Sequence, residues 1–499
     1  MGIKKISDIK KTNLLLFSFI VSAVILLLGT ASSPLFPYNV WDDANCFFTV
    51  GKSIFKGNVL YRDIFEQKGL YLYIIYGLGG FVSKTSFLGP FIFEVIAMTV
   101  FLYYIGKLMS YYASKGSIFV GLPLILTLLV ISESFEKGGS AEEFCLPFFM
   151  IFLCHMVEIM DDKGSGITIP KIIVDGIMFA IVFWIKFNIA LIFVGAYLVY
   201  LIYFIANKDF GVLWRFILLA IAGFALGSLP CLIYFAINGA LSDLWFGYFY
   251  SNLFLYHEPV VFTDKAISVV NYTANYIKKN TFMSMFAVIG IFGFCFRHKK
   301  MRAGRVFLLV MWLFFWYACV VQPGVIGIYY TLPNILFAVF GVIEIGEIIK
   351  GRASFKAGKV IPVITSICCA VLVYFSANAA FLHKIPKEEL APYEFAQIIK
   401  KEKNPSVLNF GCLDTGIYTL AEVTPPTKYF CRLNLQNFDE MNTETQKLID
   451  EKKVDFIVVL NASPEPDEAY KGYKQVAFKE QYLTGATCYH LYKKVDKTK

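Results

Sequence analysis

The stretch WDDANCFFTVGKSIFKGNVLYRDIFEQKGL, residues 41–70, interrupts a largely apolar chain with acidic and basic side chains. It comes soon after the first long apolar run, residues 13–32. Two adjacent carboxylates, Asp42 and Asp43, therefore stand close to where the chain leaves this run. Charged groups are costly near hydrocarbon, so a tandem pair of acids at this point needs a reason.

The composition is that of a membrane protein. Of the 499 residues, 57% are hydrophobic and 17% are charged, and the mean hydropathy is +0.60. Soluble domains carry about 25% charged residues. An aromatic share of 17% suits lipid-facing helices with aromatic anchors at the interface. The net charge of +9 lies mostly in short loops between apolar runs, and it does not indicate a nucleic-acid partner.

About eleven apolar segments are long enough to cross a bilayer as helices, since ~30 Å of hydrocarbon needs ~20 residues. No clear small-residue cleavage site follows the first segment, which is interpreted as a signal anchor rather than a cleaved signal peptide. The sequence thus predicts a polytopic α-helical membrane protein. The predicted spans are residues 13–32, 87–109, 117–133, 143–160, 172–186, 188–206, 214–236, 281–297, 306–322, 330–349 and 360–382.

Lys and Arg in short loops indicate the orientation of such a chain. With the N-terminus in the cytoplasm, every inside loop is basic, as in residues 297–305. Three segments then share the outer face: the first outer loop 33–86, the acidic turn 133–143 and the loop 237–280. The last loop and residues 71–82 carry aromatic side chains at helical spacing, which predicts helices that lie in the membrane interface.

The composition changes near residue 383, where a charged and less apolar region begins. Short β-branched runs at 407–410 and 455–460 alternate with helical patterns, and two further strands close the chain. This alternation predicts a small α/β domain. We therefore expect a transmembrane domain over residues 1–382 and an extracytoplasmic α/β domain over residues 383–499.

Eleven cysteines are spread along the chain without the paired spacing of metal ligands. Most lie in apolar segments and are interpreted as small core residues. Three cysteines in the polar tail, Cys412, Cys431 and Cys488, leave a disulfide open. The five histidines are scattered, which argues against a zinc site.

Two interpretations of Asp42 and Asp43 remain open from the residues alone. A carboxylate at the outer mouth of a helix bundle can take a proton from a hydroxyl as a general base. An aspartate can equally cap the helix that ANCFFTVGKSIF, residues 44–55, is expected to form. Capping requires one carboxylate, and the tandem pair exceeds that requirement.

The residues after the acidic pair change this balance. They are Gly57, Tyr61, Asp63, Lys68 and Leu70. In this order they resemble the first outer loop of the GT-C membrane glycosyltransferases, which include dolichyl-phosphate-mannose protein mannosyltransferases, aminoarabinose transferases of lipid A and Rgt-like bacterial relatives. The segment KGL, residues 68–70, departs from the proline-containing segment usual in those enzymes, and Asp43 stands where they often have glutamate. These departures bear on the subfamily and not on the superfamily.

The resemblance extends to other segments that are predicted to reach the outer face or to lie beyond it. Each of these motifs is short, and their common order and placement carry the likeness. They are GGSAEEFCLPF at 138–148, Lys186 in FWIKFN, GIYYTLPN at 327–334 and SVLNFGCLDTGIYTLAEVTPPTKYF at 406–430.

The resemblance implies the GT-C fold and an enzyme that moves a sugar from a polyprenyl-phosphate donor to an acceptor hydroxyl outside the cytoplasm. Because phosphate is a stable leaving group, the reaction needs a base for the acceptor and cations for the phosphate. Asp42 or Asp43 is expected to be the base. Lys68, Arg62 and Lys186 are expected to bind the donor phosphate. A single displacement would invert the anomeric carbon.

Five further residues are expected to contact the acceptor or another part of the substrate: Asp63, Glu142, Glu143, Tyr330 and His257. The residues indicate no particular cofactor, and a divalent cation held by Asp43, Glu142 and Glu143 stays open. Simpler interpretations stay open beside these. Glu142 and Glu143 also suit the start of a helix through its dipole, and Lys186 also suits a span end, where lysine reaches the interface.

Two other functions remain open. A transporter or flippase of a lipid-linked or sugar substrate would place ionisable residues at mid-membrane, where the spans hold few, chiefly Glu94, Asp175 and Glu344. A non-enzymatic assembly or receptor protein would leave the acidic pair unexplained. The expected setting is a bacterial plasma membrane, with the bilayer, the lipid-linked donor and a glycan, lipid or protein acceptor as partners.

Overall fold

The structure is a computed structural model. It describes residues 9–161, 168–256, 261–297, 302–321, 327–352, 360–435, 438–461, 470–482 and 486–495. It divides into two compact units. Unit 1 comprises Met1–Thr30, Glu94–Leu232 and Val260–Ala380, and unit 2 comprises Ala31–Phe93, Ile233–Pro259 and Phe381–Lys499. The domain boundary expected near residue 382 remains a prediction.

Most of the described chain is helical, and each segment predicted as a span overlaps a helix, although several predicted spans extend a few residues beyond it. Long runs of Leu, Ile, Phe and Val form helices in lipid because a helix satisfies its backbone hydrogen bonds internally. The helices are α1 (Lys11–Gly29), α2 (Asp42–Ile54), α3 (Leu70–Val82), α4 (Leu88–Met109), α5 (Lys115–Val130), α6 (Ala141–Asp161), α7 (Ile169–Ile185), α8 (Leu191–Ala206), α9 (Phe210–Ile237), α10 (Leu241–Leu244), α11 (Phe262–Lys279), α12 (Thr281–Arg297), α13 (Arg302–Trp316), α14 (Ile335–Arg352), α15 (Val360–Ser376), α16 (Ala391–Ile399), α17 (Ile417–Leu420) and α18 (Asp439–Asp450).

Within the described ranges, four helical segments are long and apolar enough to cross a membrane: Lys11–Gly29, Leu88–Met109, Phe210–Ile237 and Ile328–Gly346. A fifth crossing results if Phe262–Lys279 and Thr281–Phe296, which meet at a bend of 101°, form one span. The described chain also contains apolar helices of 10–17 residues. The structure therefore supports a multi-pass membrane protein, whereas the eleven crossings and their orientation stay predictions.

Glycines let helices of unit 1 approach closely. Helices α12 and α14 meet at Gly290 and Gly341. A Cβ on Gly341 would lie 2.0 Å from the carbonyl oxygen of Phe286, and a Cβ on Gly290 would lie 2.4 Å from that of Phe337. Small residues at such contacts are typical of membrane helix pairs, whose association depends on close packing.

Unit 2 contains the helices expected in the outer loops. Helices α2 and α3 form within the first outer loop. The helix expected in the loop 237–280 is present as α10, followed by the π-helical segment Trp245–Leu255, and its place in the membrane interface stays a prediction. Trp245 is 58% exposed and Phe254 is 60% exposed, whereas Tyr248 is buried. An exposed aromatic face beside a buried one agrees with a helix that lies in an interface.

The C-terminal part of unit 2 contains one four-stranded sheet, as predicted. Strand β1 is parallel to β2, and β4 is antiparallel to both β2 and β3, which gives the order β1-β2-β4-β3. Helix α18 lies in the crossover that a parallel pair requires. Apolar side chains of the sheet and of α18 form its core. The strands are β1 (Val407–Asn409), β2 (Phe456–Leu460), β3 (Tyr473–Tyr482) and β4 (Ala486–Lys494).

All eleven cysteines are free thiols. The disulfide left open among Cys412, Cys431 and Cys488 is therefore not formed. The Sγ atom of Cys431 instead lies 3.7 Å from that of Cys46 on helix α2. The two thiols are buried and link the first outer loop to the C-terminal part of unit 2.

Helices α2 and α3 cross at a glycine pair. A Cβ on Gly51 would lie 2.5 Å from the backbone nitrogen of Gly77 and 2.6 Å from the carbonyl oxygen of Tyr73. These are backbone atoms, which cannot turn away as a flexible side chain can. The contact therefore requires glycine at residue 51, and it fixes the position of α2, whose first turn carries Asp42 and Asp43.

We expect Gly51→Ala to destabilise the protein by roughly 1–3 kcal/mol, because overpacking forces backbone shifts. Thermal unfolding of the purified protein in detergent measures this. Gly211→Ala is the matched control, since it also adds a methyl group to a helix and nothing lies within 4 Å of the new Cβ. Equal unfolding midpoints for the two variants would contradict the close contact of α2 with α3.

Candidate active site

Asp42 and Asp43 occupy the first turn of α2 and are partly exposed. The N-cap residue is Trp41, and it makes no side-chain capping hydrogen bond. Neither aspartate is therefore the capping residue, although both benefit from the positive end of the helix dipole. The charge of Asp42 lies near the β4 residue Tyr489: burial raises the pKa of the Tyr489 phenol, and the negative charge of Asp42 raises it further.

Tyr61 anchors the loop between α2 and α3. Its ring is fully buried and stacks on Phe235 with centroids 5.6 Å apart and planes 6° apart. Its hydroxyl donates to the carbonyl oxygen of Lys68. The backbone of Tyr61 has φ +65°, a conformation that non-glycine residues rarely adopt and that costs free energy unless its surroundings enforce it. The aromatic stack and the hydrogen bond provide that enforcement.

Arg62 and Asp63 form an ion pair on the surface of this loop. The Arg62 Nε lies 3.1 Å from Asp63 Oδ1, and both side chains are more than one third exposed. Asp63 Oδ2 also accepts a hydrogen bond from the backbone nitrogen of Val59 at 2.8 Å. Hydrogen bonds from Arg62 lower the pKa of the Asp63 carboxyl. Asp63 therefore orders the loop, and the guanidinium of Arg62 remains accessible to a substrate.

Lys68 belongs to a compact polar group with Glu66 and Tyr73, termed here the Lys68 cluster. The Lys68 Nζ lies 3.5 Å from Glu66 Oε1, and both side chains are mostly buried. The Tyr73 hydroxyl donates to the other carboxylate oxygen, Glu66 Oε2. The Lys68 ammonium also lies 5.5 Å from the centroid of the Phe47 ring, which is within cation–π range. Sequence reasoning missed Glu66 and Tyr73, although Glu66 stands two residues before the predicted lysine.

A buried aspartate ties α2 to the segment that follows β1. Thr49 Oγ1 donates to Asp414 Oδ2 at 2.6 Å, and the backbone nitrogen of Gly416 donates to Asp414 Oδ1 at 2.9 Å. Asp414 is fully buried, and burial raises the pKa of its carboxyl to about 6. Nearby, Lys52 Nζ donates to Thr419 Oγ1 at 2.9 Å. These bonds hold the helix of Asp42 and Asp43 against the C-terminal part of unit 2.

In unit 1, three residues predicted from separate motifs come together as the Lys186 cluster. Lys186 follows the last residue of α7, where the backbone becomes extended, and its Nζ donates to Glu142 Oε1 in the first turn of α6. The ammonium also lies 3.3 Å from the centroid of the Tyr330 ring. Glu142 is fully buried, and the Lys186 side chain is only 10% exposed. A buried cation is tolerated only when nearby groups compensate for its lost solvation, as Glu142 and Tyr330 do here. The alternative in which Lys186 merely reaches the membrane interface is therefore unnecessary.

Glu143 lies beside Glu142 at the start of α6 and is also fully buried. Its Oε2 accepts a hydrogen bond from the backbone nitrogen of Gly139 at 2.7 Å. Gly138 and Gly139 both have φ +81°, which favours glycine. A Cβ on Gly138 would lie 2.2 Å from Thr30 Oγ1, and this hydroxyl donates to Glu94 Oε2 at 2.6 Å. Sequence reasoning placed Glu94 among the spans and missed this contact.

Two carboxylate oxygens at the start of α6 can still accept a hydrogen bond from a ligand. Glu142 Oε2 and Glu143 Oε1 are buried and have no hydrogen-bond partner among the described residues. Among all the residues that the structure describes, no group of three or more His, Cys, Asp and Glu is arranged to hold a metal ion. A divalent cation that involves Asp43, Glu142 and Glu143 stays an expectation. His257 lies outside the described residues.

Comparison with known proteins decides the fold. No protein-family model matches the sequence, and no curated protein matches it. The crystal structure of ArnT from Cupriavidus metallidurans bound to undecaprenyl phosphate matches with a TM-score of 0.58 at 11% sequence identity, over 97% of this chain and 98% of that chain. ArnT from the same organism in the apo state gives a TM-score of 0.56 at 11% identity, over 96% and 97%. The chain has the GT-C fold.

The match confirms the fold expected from the acidic pair and the motif after it. ArnT is an aminoarabinose transferase, one of the enzymes that the outer-loop motif resembles. The GT-C fold extends over nearly the whole chain, including the C-terminal part with its small sheet. At 11% identity this likeness establishes architecture, so the roles of individual residues have to be argued from their contacts.

We expect Asp414→Asn to remove a pH dependence of stability. Burial raises the Asp414 pKa from 3.8 to about 6 in the folded protein, so the folded state holds this proton more tightly than the unfolded state. The resulting stabilisation is present below pH 4 and is lost as the pH rises through about 6. A shift of this size corresponds to roughly 3 kcal/mol at most.

Thermal unfolding of the wild type and the variant at pH 4 and pH 7 measures this effect. The wild type should lose stability relative to Asp414→Asn between the two pH values. Thr49→Val, which removes a hydrogen bond to Asp414 and leaves its carboxyl in place, should retain the pH dependence. A stability difference between wild type and Asp414→Asn that is the same at both pH values would contradict the raised pKa.

Proposed function

We propose that the protein is a membrane glycosyltransferase that moves a sugar from a polyprenyl-phosphate donor to the hydroxyl of an acceptor outside the cytoplasm. The observation that carries the proposal is the GT-C fold, shared over 97% of the chain with an ArnT that is bound to undecaprenyl phosphate. The buried Lys186 cluster supports it, because a cation held in a site of low dielectric suits an anionic lipid.

The proposed reaction is a single displacement. The acceptor oxygen forms a bond to the anomeric carbon, and the bond from that carbon to the phosphate oxygen breaks. The polyprenyl phosphate leaves with the bonding electron pair, and the hydroxyl proton passes to a carboxylate. Direct displacement inverts the anomeric carbon. Because the leaving phosphate is a stable anion, the reaction needs a base and cations rather than a general acid.

Lys186 is the proposed principal contact of the donor phosphate. Its ammonium is already desolvated and oriented by Glu142 and Tyr330, so it loses little further solvation when the phosphate arrives. The contact of Glu142 with Lys186 supports a positioning role for this glutamate in place of the acceptor contact expected from its motif. Lys68, which is held by Glu66, and the more exposed Arg62 are the other proposed phosphate contacts.

Asp42 or Asp43 is the proposed base. Both lie in the first turn of a helix whose position is fixed at Gly51 and Thr49. A base on a rigid element keeps its distance to the acceptor hydroxyl, on which proton transfer depends. Glu143, Asp63, Tyr330 and His257 remain proposed contacts of the acceptor or of the donor sugar. A divalent cation near the acidic residues remains part of the proposal.

The proposed setting is a bacterial plasma membrane, with the N-terminus in the cytoplasm and the sheet-containing C-terminal part outside. A transporter or flippase of a lipid-linked sugar is the second candidate. The observation in its favour is a buried polar pair on α6 and α7, where His155 Nδ1 lies 2.7 Å from Asp175 Oδ1. Ionisable groups inside spans often mark a transport path.

The test is sugar transfer from radiolabelled polyprenyl-phosphate sugars by the purified protein in lipid. We expect Asp42→Asn combined with Asp43→Asn to lower kcat by about 10²-fold or more, because a general base contributes at least this much. Lys186→Met combined with Glu142→Gln should raise the donor KM about tenfold or more through loss of the phosphate contact. The second substitution avoids leaving a buried charge unpaired.

Each pair of substitutions has a matched control. Asp439→Asn with Glu440→Gln removes two adjacent acids from the first turn of α18. Lys279→Met with Glu133→Gln removes an exposed ion pair of 3.6 Å. Both controls should retain wild-type kinetics. Undiminished transfer by the Asp42 and Asp43 variant would remove these acids from the chemistry, and an unchanged donor KM would remove Lys186 from phosphate binding.

A further inference from the structure

Unit 2 contains a cavity of about 260 Å³ that the proposed chemistry does not involve. Its walls come from residues 31–39 after α1, from Asn45 on α2, from the loop 85–88 and from residues 416–420 after β1. The described residues that line it include serine, threonine and asparagine but no Lys, Arg, Asp or Glu. The described walls are therefore uncharged and combine polar with apolar side chains.

Asn45 presents a buried acceptor at the wall of this cavity. The side chain is fully buried, and its Nδ2 donates to the carbonyl oxygens of Asn39 at 2.9 Å and Trp41 at 3.1 Å. These two acceptors fix the orientation of the amide, because only the nitrogen can donate. The Oδ1 of Asn45 then has no hydrogen-bond partner among the described residues. A buried acceptor in this state is costly, and a donor from a bound molecule would offset that cost.

The neighbouring polar groups are equally well oriented. Asn39 Oδ1 accepts from the backbone nitrogen of Trp41 at 2.9 Å, and Asn39 Nδ2 donates to Ser32 Oγ at 3.1 Å. Both asparagine side chains are fully buried. These bonds hold both amides in one orientation, so they do not have to reorganise when a ligand arrives.

Gly416 keeps this cavity open. Its φ of +86° favours glycine. A Cβ at this position would lie 3.2 Å from Asn45 Oδ1 and 3.3 Å from the Tyr38 ring. The absence of a side chain at residue 416 thus leaves space beside the buried oxygen of Asn45 at the wall of the cavity.

The walls fit a neutral group that carries hydroxyl donors. An ionised phosphate or carboxylate cannot donate to Asn45 Oδ1, and no Lys or Arg is among the described residues that line the cavity. The volume is several times the ~30 Å³ that one water takes in the liquid and is below the ~300–1,000 Å³ typical of pockets for larger ligands. Phe36, Tyr38 and Phe87 add apolar walls against which the carbon face of a ring can pack.

We propose that this cavity binds one neutral sugar unit. The inference rests on the proposed glycosyltransferase function, which offers two sources for that unit: the sugar of the donor and a sugar of the acceptor. Asn45 lies three residues after Asp42 on α2, and residues at this spacing share one face of a helix. A sugar bound at Asn45 is therefore held close to the candidate base.

Binding is tested on the full-length protein in lipid nanodiscs by saturation-transfer NMR and titration with methyl glycosides of glucose, galactose, mannose and N-acetylglucosamine. We expect at least one glycoside to bind, and Ser86→Trp to weaken its binding about tenfold or more, because Ser86 is exposed and lines the cavity. Lys84→Trp is the control, since Lys84 is exposed in the same loop and does not line the cavity. The Lys84→Trp variant should bind the glycosides as the wild type does and should have the same unfolding midpoint.

Transfer kinetics identify the source of the sugar. A rise confined to the donor KM in Ser86→Trp assigns the cavity to the donor sugar, and a rise confined to the acceptor KM assigns it to the acceptor. Transfer with both KM values unchanged in Ser86→Trp would overturn the proposal while leaving the enzyme function intact. The absence of binding by all four glycosides would also overturn the proposal and would indicate a cavity that holds water only. Equal binding of the glycosides to wild type and Ser86→Trp would overturn it as well. Glycoside binding that Ser86→Trp weakens, in a protein without transfer activity, would support the cavity and remove the proposed function.

Discussion

A lysine ammonium taken out of water has to find its compensation inside the protein, and Lys186 finds it in Glu142 and Tyr330. Much of the local architecture of unit 1 follows from this requirement. Helix α7 ends at Ile185, so that an extended residue presents the ammonium. Helix α6 begins at Ala141 after two glycines with positive φ, which places Glu142 in its first turn. Tyr330 comes from the 3₁₀ segment Ile328–Asn334. Extension of α7 by one further turn would remove Lys186 from both partners.

Unit 2 meets a different requirement, which is to keep the helix of Asp42 and Asp43 rigid. Three contacts hold α2 in place: the glycine crossing with α3, the hydrogen bond from Thr49 to Asp414, and the thiol contact between Cys46 and Cys431. The Thr49–Asp414 and Cys46–Cys431 contacts join residues 33–86 to the C-terminal part of unit 2. The C-terminal part therefore has a physical role within unit 2, since it supports the helix that carries the candidate base.

The sequence allowed most helices to be predicted, because apolar length decides them locally. The short strands were also predictable, since β-branched runs such as 455–460 are local signals. Partners distant in sequence were not predictable: 365 residues separate Thr49 from Asp414, and 44 separate Lys186 from Glu142. Lys186, Glu142 and Tyr330 were each identified from separate motifs, but their contact depends on where α6 and α7 begin and end. Glu66 and Tyr73 carry no local signal beyond their proximity to Lys68, so they emerge only from the structure.

A glycosyltransferase cleaves the bond between sugar and phosphate, whereas a flippase carries the intact lipid-linked sugar across the bilayer. Proteoliposomes that contain the wild-type protein, a polyprenyl-phosphate donor labelled in its sugar and an acceptor glycan distinguish the two. We expect the label to leave the lipid fraction and to appear on the acceptor, while unlabelled polyprenyl phosphate accumulates in equal amount. A label that remains attached to the lipid while it moves from one leaflet to the other would rule out glycosyl transfer and identify a flippase.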